Sequence, residues 1–279
     1  MFLETPTLLF QVTLSSFPCT LFSMHIYQIP GTLETLDFET PALWDAGAQG
    51  LEEANGFVKA YFSQPVELPF GGEWVTLEDT DWLEKWKAGL DPVTIGKITV
   101  VPSWKQAEVP EGQIKLIIDP GMAFGTGHHA TTQFGIEALE RLELTGKKVL
   151  DVGAGTGLLA MVAAKLGARA YGVDLDPITV PIARENAELN GLNVEFFDGV
   201  LEDVLHLAPF DVLVCNLFAE LHMLLMPEYV EALTENGELI LTGILADRLP
   251  MVLDALEREN FRNVQTQRNG EWMLCTASR

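Results

Sequence analysis

The run Val149-Leu150-Asp151-Val152-Gly153-Ala154-Gly155-Thr156-Gly157 constrains the fold more than any other part of this chain. An apolar stretch ends in a glycine-rich turn, and a helix-forming stretch over 158–166 follows at once. Glycines let a strand turn sharply into a helix and let backbone approach a neighbour or ligand closely. The same alternation continues downstream. Strand 170–173 leads to helix 178–190, and strand 194–197 is followed by strand 212–215, helix 219–233 and strand 239–242. Strands that are continuously apolar and separated by helices predict a parallel sheet covered on both faces. The end departs from this rhythm. Segments 263–267 and 272–276 flank Asn269-Gly270, a hairpin signal, so the last strand is expected to run antiparallel.

A mostly parallel seven-stranded sheet with one late antiparallel strand is the α/β layout of the Rossmann-like class I methyltransferases. The turn itself bears on the ligand. Asp174 ends the next strand, 174 − 151 = 23 residues after Asp151, where a carboxylate accepts hydrogen bonds from two ribose hydroxyls. Nicotinamide and S-adenosyl-L-methionine sites share that arrangement, but two features separate them. The spacing is GxGxG, and the third glycine of GxGxxG would fall at Leu158. Asp151 also stands just before the turn, where an anion opposes a pyrophosphate and suits a ligand carrying an ammonium and a sulfonium. S-adenosyl-L-methionine is therefore the expected cofactor, and a nicotinamide-dependent oxidoreductase is the alternative of a different class.

Further candidates flank the turn. The upstream run Asp119-Pro120-Gly121-Met122-Ala123-Phe124-Gly125-Thr126-Gly127-His128-His129-Ala130-Thr131-Thr132 is too glycine-rich for a helix. Its small residues suit a segment folded over the cofactor, and Thr132 is placed to cap the helix that follows. His128 and His129 lack the i, i+4 spacing and carboxylate company of a zinc site and read as loop or pocket residues. No metal is expected. Asn216 ends strand 212–215, at the carboxyl edge where open α/β sheets bind ligands, and can orient an amine or the methionine end of the cofactor. The expected site is Asn216 as the catalytic residue, with Thr132, Gly153, Asp174, Asn216, Asp151, Gly155, Gly157 and Phe124 around the cofactor.

The chain of 279 residues predicts one large domain or two modest ones. A small block precedes the large one: strand 25–29, a helix over 33–46 broken at Pro41, strands 51–54 and 57–62 around Asn55-Gly56, and a fourth strand over 74–77. This suits a small α+β, ferredoxin-like module spanning 24–78. Between Met24 and Thr80 it holds ten acids against one base, Lys59. A connecting helix is expected within 79–94, with Asp81 as cap and Trp82 and Trp86 on one face, and the catalytic domain over 95–279. Residues 1–23 carry one charge, Glu4, and are interrupted by Pro6 and Pro18. They read as an extension upstream of a natural start at Met24, with a cleaved export signal as the alternative.

Charge and composition exclude several classes. Lys plus Arg is 17 and Asp plus Glu 40, so 17 − 40 = −23, the opposite of a direct nucleic-acid binder. At 48% hydrophobic and 20% charged residues the chain is not disordered. No run beyond Met24 reaches the ~18–20 apolar residues of a spanning helix. Cys19, Cys215 and Cys275 are odd in number and read as reduced thiols of a cytoplasmic protein. A monomer is expected.

The runs DPGMAFGTGHHATT, DVGAGTG, GVDLDP, CNLFAEL and TGIL together resemble the bacterial ribosomal protein methyltransferase family called PrmA. The resemblance covers about Met24 to Arg279; residues 1–23 have no counterpart, and the small module is short beside longer members. It implies a large-subunit ribosomal protein, number eleven, as substrate, with methyl transfer to lysine ε-amines and the N-terminal α-amine. It also implies cofactor contacts at Thr132, Gly153, Asp174 and Asn216. A methyltransferase of another protein or of a small molecule is the nearer alternative.

Overall fold

The computed structural model describes residues 25–279 apart from 33–34, 37–38, 49, 55, 63–64, 69, 76–88 and 122. The extension over 1–23, the start at Met24 and the Asp81–Trp82–Trp86 helix lie outside the described residues. The chain divides into two compact units, Met1–Gly89 and Leu90–Arg279.

The first unit contains β1 (His25–Pro30), α1 (Glu39–Asp45), β2 (Gly50–Ala54), β3 (Phe57–Phe62) and β4 (Glu73–Val75). The sheet order is β2-β3-β1-β4, with antiparallel pairing throughout. That is the strand order of a ferredoxin-like sheet, without a second helix among the described residues between β3 and β4. Alternation sets the core: Val58, Ala60 and Phe62 of β3 are buried against Leu43 of α1. Pro41 does not break the helix, as the sequence suggested. It is the third residue of α1, in the first turn, where backbone N–H groups have no intrahelical acceptor to lose. The fourth strand is described over Glu73–Val75, and 76–77 of the expected strand lie outside the described residues.

The second unit opens with a three-stranded sheet that the sequence reading missed: β5 (Val93–Ile95), β6 (Ile98–Pro102) and β7 (Ile114–Ile118), with β5 antiparallel and β7 parallel to β6. Then follow α2 (Ala130–Glu140), β8 (Lys148–Val152), α3 (Leu158–Lys165), β9 (Arg169–Asp174), α4 (Thr179–Leu189) and β10 (Glu195–Asp198). After a 3-10 helix (Leu201–Leu207) come β11 (Phe210–Asn216), α5 (Ala219–Ala232), β12 (Leu233–Leu245), α6 (Leu249–Arg258), β13 (Arg262–Asn269) and β14 (Trp272–Ser278).

The main sheet runs β10-β9-β8-β11-β12-β14-β13. β8 through β12 pair in parallel, and β14 lies antiparallel between β12 and β13. The late antiparallel strand is thus where the Asn269-Gly270 hairpin put it. Side chains of successive strand residues point to opposite faces. Val149, Val212, Val214 and Ile240 therefore join a core with α2, α3 and α4. Leu150, Leu213, Leu239 and Leu241 join a second core with α5 and α6. Both faces are covered, and only the strand ends remain for a ligand.

Candidate functional site

β8 delivers Asp151 to the carboxyl edge of the sheet, where the chain leaves through Gly153, Gly155 and Gly157, all at positive φ. Gly155, at φ +52, shows why glycine is required: a Cβ there would collide with the backbone carbonyl oxygen of Phe124. The space that Gly153, Gly155 and Gly157 leave is thus filled by Leu217, Phe124 and Phe196 respectively. These glycines close the site's own walls, beyond any approach they grant a ligand.

Asp174 ends β9. One carboxylate oxygen accepts the Gly155 N–H at 2.7 Å and the other the Asp176 N–H at 2.9 Å. A carboxylate has about four lone-pair sites, so Asp174 orders the glycine turn and keeps acceptor capacity for hydroxyls.

Asp151 is 1% exposed. Its Oδ2 accepts the Ala160 N–H at 3.1 Å, and Oδ1 is buried with no hydrogen-bond partner. Burial, reinforced by the nearby Asp174 charge and opposed by the Ala160 bond, pushes the carboxyl up to about 7. A cation beside it favours the carboxylate again.

Thr132 is not the cap of α2. His129 takes that role, its Nδ1 accepting the Thr131 N–H at 3.4 Å. An imidazole nitrogen can cap as a hydroxyl does, so the helix begins earlier than the threonine pair suggested. Thr132 is instead buried in the first turn, with a hydroxyl that has no partner. Orphaned buried polar atoms are rare in folded proteins and call for an occupant. Two occur on residues singled out for one ligand.

The upstream loop is tied to the glycine turn through Thr156. Its N–H donates to Phe124 O at 2.9 Å and its Oγ1 to Gly125 O at 2.7 Å. Its carbonyl accepts from Asn186 Nδ2 at 3.0 Å. The Asn186 amide also donates to Asp119 O at 3.0 Å and accepts the Asp119 N–H at 2.7 Å. Four residues on, Asn190 accepts the Ile117 N–H at 2.8 Å and donates to Ile117 O at 2.6 Å. Sequence reasoning missed Thr156, Asn186 and Asn190. The available signal was the i, i+4 asparagine pair, which α4 turns toward β7.

Phe124 is exposed at this edge, with its ring 5.6 Å from His129, which lies 4.9 Å from Trp272. Burial holds His129 below the usual histidine range, against the pull of Glu271. His128 donates from Nε2 to Asp91 O at 2.8 Å, so it anchors the loop. Among the described residues no cluster of ligating side chains could hold a metal ion.

Asn216 ends β11, in register with Thr242 of β12. Leu217 N–H donates to Thr242 O at 3.1 Å, and the Leu217 side chain lies against Gly153. Gly243, at φ +84, leaves the room for this turn: a Cβ there would lie 2.5 Å from Leu217 O and 2.9 Å from Asn216 Oδ1. The structure thus gathers Asp151, Gly153, Asp174 and Asn216 at the carboxyl ends of β8, β9 and β11, with Phe124 on the loop that closes on them.

The sequence model of the ribosomal protein L11 methyltransferase (PrmA) family matches residues 46–279. The chain belongs to that family. A ribosomal protein L11 methyltransferase of Deinococcus radiodurans is 51% identical over 271 residues, covering 92% of this chain and 99% of the relative. One of Thermus thermophilus is 48% identical over 256 residues, covering 92% and 100%. The crystal structure of a ribosomal protein L11 methylase from Lactobacillus delbrueckii subsp. bulgaricus superposes with a TM-score of 0.62 at 32% identity, covering 68% of this chain and 98% of that one. Membership of PrmA sets aside the nicotinamide-dependent oxidoreductase. The family's cofactor is S-adenosyl-L-methionine, and the donor set fits it. An acid poised near neutrality suits the amino acid end, and a carboxylate with spare acceptor sites suits the ribose.

Proposed function

We propose that this chain transfers methyl groups from S-adenosyl-L-methionine to the large-subunit ribosomal protein L11, at lysine ε-amines and the N-terminal α-amine. The observation that carries the reading is the match to relatives named for that substrate over nine-tenths of the chain, together with the site at the strand ends. Asp174 would take the ribose hydroxyls, and Asp151 and the Thr132 hydroxyl would hold the methionine end. The Gly153, Gly155 and Gly157 backbone and Phe124 would line the remainder. Bound there, the cofactor supplies an electrophilic methyl on a sulfonium.

The chain's own part is position and desolvation. A lysine amine with pKa ≈ 10.4 must shed its proton first, costing about 4–5 kcal/mol at pH 7. Burial and a nearby cation both lower that cost. Asn216 Oδ1, held at the strand end, accepts an amine N–H and so turns the nitrogen lone pair toward the methyl. No described side chain is required as a general base, and water takes the proton.

The first unit is the substrate-capturing part in this reading. Ten acids against one base over 24–80 attract a basic ribosomal protein. The protein works as a monomer in the cytoplasm, where that substrate is made. No helix among the described residues is long and apolar enough to cross a membrane. The test is incubation of the purified protein with labelled S-adenosyl-L-methionine and a total ribosomal-protein extract. Label on L11 supports the reading; label confined to other proteins or small molecules overturns it.

A further inference from the structure

Behind Asn216 lies a buried polar chain that the transfer step does not use. α5 begins at Ala219, and the residue before it, Phe218, makes no side-chain capping bond. The turn from β11 into α5 is held another way. His222, in the first turn of α5 and 0% exposed, donates from Nε2 to Thr242 O at 2.9 Å. The same oxygen accepts the Leu217 N–H at 3.1 Å, so one carbonyl of β12 grips both sides of the connection that carries Asn216. The Thr242 hydroxyl in turn donates to Thr131 O at 3.0 Å, beside Thr132. Behind the ring, the Tyr229 hydroxyl meets His222 Nδ1 at 3.2 Å.

These bonds define the tautomer: Nε2 carries the proton and Nδ1 accepts from Tyr229. We propose that His222 is a positioning residue for methyl transfer, which fixes the Asn216 side chain by fastening α5 to the Thr242 carbonyl. The inference deepens the proposed function and rests on the amine-aligning role of Asn216. Burial presses the imidazole down to about 4, so it stays neutral through the range in which an amine can be methylated. It is a fixed strut and does not titrate during turnover. The connection that carries Asn216 is therefore fixed before substrate arrives, and in our proposal this presets the amide and avoids an ordering cost during the reaction.

A double-mutant cycle tests this on the full-length protein. His222→Leu keeps apolar bulk and removes the donor. It is expected to lower kcat at least tenfold while S-adenosylhomocysteine affinity, read by calorimetry, stays within about threefold. His222→Gln, whose Nε2 reaches about as far as the ring Nε2, is expected to recover most of the loss. In an Asn216→Ala background His222→Leu is expected to add nothing further to the fall in kcat. Tyr229→Phe, which removes only the hydroxyl on Nδ1, runs through the same cycle as a milder variant and tests the same coupling if His222→Leu is poorly folded. Losses that multiply with Asn216→Ala overturn the inference, because His222 then acts elsewhere. An unchanged kcat for Asn216→Ala alone overturns both the inference and the role given to Asn216. Absence of L11 methylation by the unaltered protein is a separate result and falls on the proposed substrate.

Discussion

Asp151→Asn should make the ligand-free protein more stable and a worse enzyme, and the stability gain should depend on pH. The carboxyl is buried, with one oxygen on the Ala160 N–H and the other without a partner, and is raised from 3.8 to about 7. A raised acid favours the protonated form in the folded state. The stability it confers is whole below about pH 4, where both states are protonated, and is lost as pH climbs through about 7. A shift of roughly three units corresponds to about 4 kcal/mol at 1.36 kcal/mol per unit. Asparagine mimics the protonated acid and cannot ionise, so its curve should lack this slope. The stability difference between variant and wild type should then grow by about 2–3 kcal/mol between pH 5 and pH 8. Urea unfolding of both proteins without cofactor at the two pH values measures it. A difference that is the same at both would refute the argument. The cost should appear in binding: losing a charged partner for the cofactor's ammonium is worth about 1.5–3 kcal/mol, so affinity should fall roughly ten- to a hundredfold.

Three more outcomes follow from the same geometry. Asp174→Ala removes both the ribose acceptor and the clamp on Gly155 and Asp176, and should weaken S-adenosylhomocysteine binding by at least roughly tenfold in calorimetry; Asp174→Asn should be milder. Asn186→Leu strands the Asp119 N–H and the Asp119 and Thr156 carbonyls, at about 1–3 kcal/mol each, so the unfolding free energy should drop by roughly 3 kcal/mol or more. Asn186→Asp should fail to rescue it, since a carboxylate has no donor for two carbonyls. The separate unit Leu90–Arg279 should bind S-adenosylhomocysteine yet fail to methylate intact L11; full activity would remove the capture role of the first unit.

The sheet was legible because its strands are continuous apolar runs punctuated by Gly153 and by the Asn269-Gly270 hairpin, all local signals. The placement of Asp151, Asp174 and Asn216 at the carboxyl edge was legible because each falls in the last two residues of a strand, and strand ends form the crevice. What escaped was non-local. Asn186 meets Asp119 across 67 residues, and Asn190 meets Ile117 across 73, so nothing near either asparagine announces its partner. The β5–β7 sheet went unread although β6 and β7 are as long as β8, because no helix separates β5, β6 and β7 and the strand–helix rhythm that exposed the main sheet is missing there. α6 was overlooked although it carries proline near its start, a favourable opening position. Local rules misplaced Thr132 because histidine is an uncommon helix cap.

The two asparagines also settle what happens at the rim of the small three-stranded sheet. Four residues along a helix advance about 6.0 Å, and two along a strand about 6.6 Å. Amides on Asn186 and Asn190 therefore fall in step with the backbone groups of Ile117 and Asp119. To the strand, one face of α4 imitates a neighbouring strand. An open rim is where another chain can attach and seed aggregation. Here Asn186 and Asn190 occupy the Ile117 and Asp119 backbone groups, so this stretch beside the site offers them to no stray polypeptide, which matters for a site proposed to receive one.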